Sequence, residues 1–506
     1  MYAGYGRIVQ MLKCHLFSAS SATSQFHLVL SDGAAQLLRS HLSSPQMDND
    51  TRMRFQHAYD SLTSTNPLKA HTSGLWMTER AGGSDLTPTQ TTARFLPQDT
   101  DSLSTDTDGF SLGPWVLDGF KWFSTGTETD MAVTVARAPH GLSAFLVSTH
   151  RRSDSNSVCK SELNGFRARR LKNKVGTHAL PTAELEISGM RGWLIGKEGE
   201  GIKEIGIILN VTRLHLAVMG LGAMGRSLAA AGAFAKVRKV ARGTRLCDVP
   251  LHMRTLADLH IDYRAHMFLT YFATMLLAVS EQIPGAAVYE VNPLIPVTSG
   301  DVQSLLRLLS TLSKVTVAKA TCSTTQAAME SLGGVGYLEN DNVVFNIARL
   351  YRDAPALTIG EGTTDVLVTD VIKVLKGKIG PHVRGSLNRW SQASIPKNES
   401  MKWDAAILVQ QQRELDEMVS RSSMEYLLLH GRSIVHLLFR MVSGVLLADA
   451  ARDNNPVGIE IAKRWIRPQV LTSGSCVQKA LSDDQQIVFG LKTLSGSVQS
   501  FDCTLL

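Results

Sequence analysis

The chain has 506 residues, 44% hydrophobic and 19% charged, with a net charge of +7. That length is too great for one compact core and implies roughly three domains, and the composition excludes large-scale disorder. Six widely spaced cysteines (Cys14, Cys159, Cys247, Cys322, Cys476, Cys503) argue against a disulfide framework and a zinc site, and for a reducing, intracellular compartment.

Met1 to Ser20 is acid-free like a transit peptide, but its helical pattern continues through Phe26–Leu30 and Gly33–Leu38. It reads as folded protein, part of an N-terminal helical domain over 1–70 that closes at Asn66-Pro67. Strand patterns then fill 71–190: Trp115 to Phe123, turning at Asp118-Gly119 as a hairpin, then Met131–Ala136, Ala144–Val147 and Ala183–Ile187. An antiparallel barrel or sandwich is the expected fold of this stretch. After Gly199-Glu200-Gly201, helical periodicity covers 202–241, 251–281, 302–331 and 362–376, a four-helix bundle domain within 200–380.

The polar run Gly377 to Asn398, with Pro381 and Pro396, reads as a linker. A helical extension follows within 395–506, and the fold class is α+β. No apolar run is expected to span a bilayer, so no membrane is expected among the partners. The ending Cys503-Thr504-Leu505-Leu506 is a poor prenylation box, since Thr504 is not aliphatic and no polybasic run precedes it.

Basic residues crowd Lys160 to Lys174 and Lys236 to Arg245. Each is either a solvated face or a site for polyphosphate or nucleic acid, and the second, nearly acid-free, carries more weight.

Four motifs stand out. Glu361 lies between Gly360 and Gly362, after Arg349 to Pro355, where a lone carboxylate in a glycine-lined loop suits a general base. Gly220-Leu221-Gly222-Ala223-Met224-Gly225 matches a dinucleotide fingerprint, but helical periodicity runs through it and no acid follows at the required distance. Its glycines read instead as a close approach of another helix or a flat ligand. Thr78 to Asp85, with Gly82-Gly83, is either a ligand-facing loop or a strand-to-strand turn. Trp122-Phe123-Ser124-Thr125 ends a strand where packing, or stacking on a planar cofactor, explains the tryptophan.

The order of Gly-Gly-Ser-Asp loop, Trp-Phe-Ser strand end, helical stretch from Arg213, Gly333-Gly334-Val335-Gly336-Tyr337 and Glu361-Gly362-Thr363 resembles the acyl-CoA dehydrogenase family over roughly 15–380. Ala328 to Gly334 and the long extension are more similar to its alkylation-response (AidB-like) branch, fungal members included. The resemblance implies FAD, a homotetramer, an acyl-CoA substrate, and electron-transfer flavoprotein or oxygen as electron acceptor. By the same resemblance Glu361 is the base. Thr78, Trp122 and Ser124 contact the flavin, Thr363 is cofactor-binding, and Gly333 and Gly334 approach the FAD of a neighbouring subunit. Ser84 lies near the cofactor and the CoA phosphates, with Asn210, Arg213 and Gly362 on the substrate side.

Departures from the family pattern are Gly360, where many members have an aromatic residue, and Asn210 for a common Asp. Lys239 and Glu330 stand where Arg and Gln often touch FAD. Three functions remain open: a dehydrogenase, on an unusual acyl-CoA in specialised fungal metabolism; a flavoprotein that binds DNA or a protein partner and turns over little; and an acyl-CoA oxidase. In 402–506 only Lys463, Arg464 and Arg467 cluster, and nearby acids offset them, which argues against nucleic acid.

Overall fold

The computed structural model describes residues 6–22, 24–96, 105–153, 161–281, 293–339, 346–395, 401–452, 455–467 and 477–490. Cys159, Lys160, Pro396, Cys476 and the 503–506 ending lie outside these residues. In chain order come helices α1 (Gly6–Ser18), α2 (Gln25–Leu42) and α3 (Asn49–Leu62). Strands follow: β1 (Ser73–Thr78), β2 (Thr92–Phe95), β3 (Trp115–Thr125), β4 (Met131–Ala138), β5 (Gly141–Ser148), β6 (His150–Arg152), β7 (Ser161–Leu163), β8 (Phe166–Leu171) and β9 (Thr182–Ile195). The helices resume with α4 (Gly201–Val237), α5 (Pro250–Ser280), α6 (Ser299–Ser331), α7 (Ile347–Asp353) and α8 (Thr364–Lys376). Last are α9 (Gly380–Ser394), α10 (Lys402–Arg421), α11 (Met424–Leu429), α12 (Gly431–Ala450), α13 (Pro456–Ile466) and α14 (Val477–Phe489).

Two units emerge. One comprises Ser20–Leu216 with Ala356–Val366; the other comprises Met1–Ala19, Ala217–Pro355 and Leu367–Leu506. In the first, the sheet order β1-β3-β2-β4-β5-β9-β8 is closed by additional β1–β4 and β3–β9 pairings, which makes a barrel. Strand β4 shows why. Met131, Val133 and Val135 join a core with Leu30, Leu37 and Phe55 of the helices, while Ala132 and Ala136 join Trp76, Phe145 and Leu185. A period of two thus divides one strand between two cores.

The expected hairpin at Asp118-Gly119 does not form. β3 runs unbroken through it, with an irregular register between Leu117 and Gly119 against β9. The Asp118 carboxylate accepts the Gly189 N–H at 2.8 Å. A Cβ at Gly119 would stand 2.6 Å from the Thr91 Cα, so close packing, not a turn, requires the glycine.

In the helical unit, the expected linker over 377–398 contains α9. Pro381 sits in its first turn, where a missing N–H costs nothing, and Val383, Leu387 and Trp390 bury one face. Trp390 stacks on Phe272 with ring centroids 4.9 Å apart. The Gly220–Gly225 motif lies inside α4. A Cβ at Gly222 would meet Ser18 Oγ at 1.8 Å and one at Gly225 would meet Tyr263 Oη at 2.9 Å, so these glycines admit α1 and α5.

The reading that no apolar run could span a bilayer also needs correction. Among the described residues, α4 and α12 are long and apolar enough by length and composition. Their most apolar windows are 72% and 67% buried within the protein, as core helices are.

The basic run on β8 is not free charge. Arg167 and Arg169 pair with Glu186, and Arg170 and Lys172 with Glu184, across the β8–β9 ladder. Arg464 and Arg467 likewise pair with Asp484 and Asp404. Near the end of α4, Lys236 lies over the Phe489 ring and Arg245 pairs with Asp248, whereas Arg238, Lys239 and Arg242 are exposed.

Candidate active site

β1 ends at Thr78, and the chain turns back at once, with Glu79 and Gly82 exchanging backbone hydrogen bonds of 3.0 and 3.2 Å. In the β1–β3 register Thr78 stands opposite Phe123, which brings it beside Trp122 and Ser124. A Cβ at Gly83 would lie 3.1 Å from Thr78 Cγ2, so this glycine lets the loop fold back over the threonine. Ser84, the next residue, is exposed.

A buried ion pair anchors this turn. Lys121 is fully buried and Glu79 nearly so, with Nζ 2.7 Å from Oε1. Glu79 also accepts from the Gln90 N–H at 2.6 Å and the Thr91 hydroxyl at 2.6 Å, and Lys121 donates to the Val135 carbonyl at 2.8 Å. Burial raises the Glu79 carboxyl, but the Lys121 ammonium and these hydrogen bonds outweigh it and hold the group below the usual range. The residue types Glu79 and Lys121 gave no sign of this pairing, since β3 also carries Asp118, Ser124 and Thr125.

Ser124 is fully buried, and its Oγ has no hydrogen-bond partner among the described residues. Trp122 is half-buried, with the Lys172 ammonium 3.2 Å from its ring centroid and the Arg80 guanidinium at 5.1 Å. An orphaned hydroxyl beside an aromatic ring is a vacancy in polar satisfaction that a heteroaromatic ligand fits.

The same unit holds α4 up to Leu216 and the Glu361 turn. Asn210, Arg213 and Leu216 are three residues apart and share one face of α4. Arg213 and Leu216 are buried, Asn210 half-buried. His215, unremarked in the sequence, is buried and reaches Asp32 of α2 at 2.7 Å. After α7 a short 3-10 turn, Ala354–Thr358, leads to the loop, where the Gly360 N–H donates to the Ala356 carbonyl at 3.0 Å.

Glu361 itself takes the left-handed conformation, φ +56°, and Gly362 follows at φ +108°. For a residue with a Cβ this costs about 1–2 kcal/mol, and such strain concentrates at functional sites. Glu361 is half-buried and its Oε2 is shielded from solvent. Thr363 is exposed.

The remaining candidates lie in the helical unit. Lys239 is exposed and bridges to Arg245 in the backbone; Glu330 is exposed and accepts from Gln326 at 3.3 Å. Gly333 has φ +64°, and at both Gly333 and Gly334 a Cβ would meet open space. A cavity of about 1120 Å³ lined by Arg54, Phe55, Phe95, Trp115 and Trp193 contains none of these candidates. Size alone does not place the chemistry there, because it holds neither the strained acid nor the orphaned hydroxyl.

Comparison with known proteins bears on family and fold. The family profile "Acyl-CoA dehydrogenase, middle domain" matches residues 74–190, and "Acyl-CoA dehydrogenase, C-terminal domain" matches 199–376. Acyl-CoA dehydrogenase family member 11 of Caenorhabditis elegans is 32% identical, across 92% of this chain and 72% of the relative. AidB of Escherichia coli is 27% identical, across 91% of this chain and 73% of its own length. Among solved structures, C. elegans ACDH-11 in complex with C11-CoA has a TM-score of 0.77 at 31% identity, covering 96% of this chain and 79% of that one. With barrel, helical domain, both matched profiles and a relative 32% identical over most of the chain in agreement, the chain belongs to the acyl-CoA dehydrogenase family of FAD-dependent oxidoreductases.

Proposed function

We propose that this chain catalyses α,β-dehydrogenation of an acyl-CoA thioester with Glu361 as base. The observation that carries the reading is the strained Glu361, held between two glycines in the unit that also contains Arg213. Its carboxylate takes the proton from the α-carbon, the C–H pair left behind becomes the second bond of the C=C, and the β-carbon's hydride departs with its own pair to a two-electron acceptor. Its own backbone N–H is the donor that polarises the thioester carbonyl. Packing of an apolar acyl chain excludes water from the carboxylate and strengthens it as a base.

FAD, when bound, supplies the two-electron acceptor. Thr78, Trp122 and Ser124 fit its ring, the buried unpartnered Ser124 hydroxyl being the group that a ligand acceptor or donor would satisfy. Ser84 and Thr363 are exposed hydroxyls available to cofactor, and Gly333 and Gly334 leave room for the FAD of a neighbouring subunit. Lys239 supplies the positive charge a pyrophosphate needs, with Arg238 and Arg242 nearby in sequence. Glu330 would lie at the cofactor where family members often carry Gln. On the substrate side, Ser84, Asn210, Arg213 and Gly362 bind the CoA thioester.

The reading extends to a homo-oligomer, an intracellular setting, a specialised acyl substrate, and electron-transfer flavoprotein or oxygen as acceptor. ACDH-11 is a relative crystallised with C11-CoA, which supports a CoA thioester as ligand here. Pairing of the β8 and α13 cations with carboxylates favours the enzyme over a DNA-binding role.

The test is anaerobic titration of the flavin-loaded protein with a panel of acyl-CoA thioesters. Bleaching of the flavin band by at least one thioester is expected. Glu361→Gln should lower the bleaching rate about 10²–10⁴-fold while leaving thioester binding within a few-fold. Bleaching that survives in Glu361→Gln would remove this residue from the role.

A further inference from the structure

We infer that Lys172 is a positioning residue for the flavin, acting through Trp122. Held by Glu184 against the indole, it fixes the ring that flanks the cofactor and lends it a positive charge. The protein therefore favours reduced over oxidised FAD more than it would without this ammonium. The inference rests on the reading of Trp122 as a flank of the flavin ring.

Lys172 directly follows β8, and its backbone N–H donates to the Thr182 carbonyl at 2.8 Å, which fixes the root of the side chain. Its ammonium donates to Glu184 at 2.6 Å and lies 3.2 Å from the Trp122 ring centroid and 4.8 Å from that of Phe123. Arg170 donates to the same carboxylate at 2.6 Å, yet its side chain is 67% exposed and that of Lys172 only 9%. Glu184 alone does not explain the burial of Lys172, and the aromatic pair does. A cation shielded from water over an indole is held more strongly than an exposed one.

Two consequences reach the cofactor. An ammonium at 3.2 Å occupies one indole face, so Trp122 meets the flavin by its edge or its other face. Charge is the second. Lys172 and Arg170 share one carboxylate, so the three groups together keep one positive charge. Arg80, 5.1 Å from the same indole and without an ion-pair partner among the described residues, adds another. Hydride is one proton and two electrons, so its arrival adds one negative charge to the ring. A fixed cation beside that ring lowers the free energy of the reduced state, the more so where water is excluded.

The experiment measures the FAD midpoint potential against a reference dye, and the tryptophan emission of the flavin-free protein. The proteins are the wild type, Lys172→Met, Lys172→Arg, Arg170→Met and Trp122→Phe. In Lys172→Met the Glu184 carboxylate keeps Arg170, so the change leaves no acid alone. This variant should lose about tenfold in its preference for reduced FAD, a fall of about 30 mV for a two-electron couple. Lys172→Arg keeps the charge and stacks on indoles, and should hold the preference within about threefold of the wild type. Arg170→Met, which leaves the indole contact in place, should hold it likewise. The emission should shift in Lys172→Met, and that shift should vanish when Trp122→Phe is added. An unchanged potential in Lys172→Met overturns the inference, and so does an equal fall in Arg170→Met or an emission that ignores Lys172→Met. Trp122→Phe separates the two readings. If FAD affinity, spectrum and potential all ignore it, Trp122 is not at the flavin and the underlying reading fails. If they respond to it and the potential ignores Lys172→Met, the inference alone fails.

Discussion

Lys121 and Glu79 form an ion pair inside the barrel unit, 2.7 Å apart and both buried. The pair ties the turn after Thr78 to the strand that carries Trp122. Lys121→Met would leave the Glu79 carboxylate buried without its counter-charge, a loss of about 3–5 kcal/mol. Adding Glu79→Gln should recover part of that loss. Urea unfolding of the single and double variants measures both, and a single-variant loss below about 1 kcal/mol would contradict the buried geometry.

Ser124→Ala separates ligand binding from folding. Its hydroxyl has no partner among the described residues, so removing it should stabilise the flavin-free protein by about 0.5–1 kcal/mol. If the hydroxyl meets FAD, the same change should weaken FAD binding about tenfold. Reconstitution titrations and thermal melts of the flavin-free form read the two effects separately. Unchanged FAD affinity would take Ser124 out of the cofactor site.

Gly222→Ala tests the close approach of α1 to α4. The new methyl would collide with Ser18 Oγ and the His15 carbonyl. Overpacking of this kind costs about 1–3 kcal/mol. Increased proteolysis within α1, together with a lower melting temperature, is the expected result; native stability would mean that α1 does not dock there.

His260 on α5 gives the helical unit a pH dependence. Burial, and then the Arg264 charge, push its imidazole down to about 4, and its Nε2 is buried without a partner among the described residues. Unfolded, the ring titrates near 6.5. Between these values the unfolded chain binds more protons, so stability falls as pH drops from about 6.5 to 4 and this contribution levels off below. The full span is on the order of 3 kcal/mol. His260→Phe should flatten that slope in urea melts at several pH values, and an equal slope in both proteins would assign it to other groups.

Periodicity and motif order determined the fold class and the four helices beginning near residues 202, 251, 302 and 362, while the candidate site residues came from the family resemblance. The elements are legible because a helix or strand that buries one face repeats its apolar residues at a fixed step, wherever it packs. Long-range contact decided the rest. Asp118-Gly119 became strand interior because Thr91 and Gly189 approach it, and the polar 380–394 stretch became a helix because Phe272 covers Trp390. The Lys121–Glu79 pair and the left-handed turn at Glu361 depend on a neighbour 42 residues away or on a dihedral angle. Residue type does not encode such facts, because their free energy arises only when distant segments exclude water from each other.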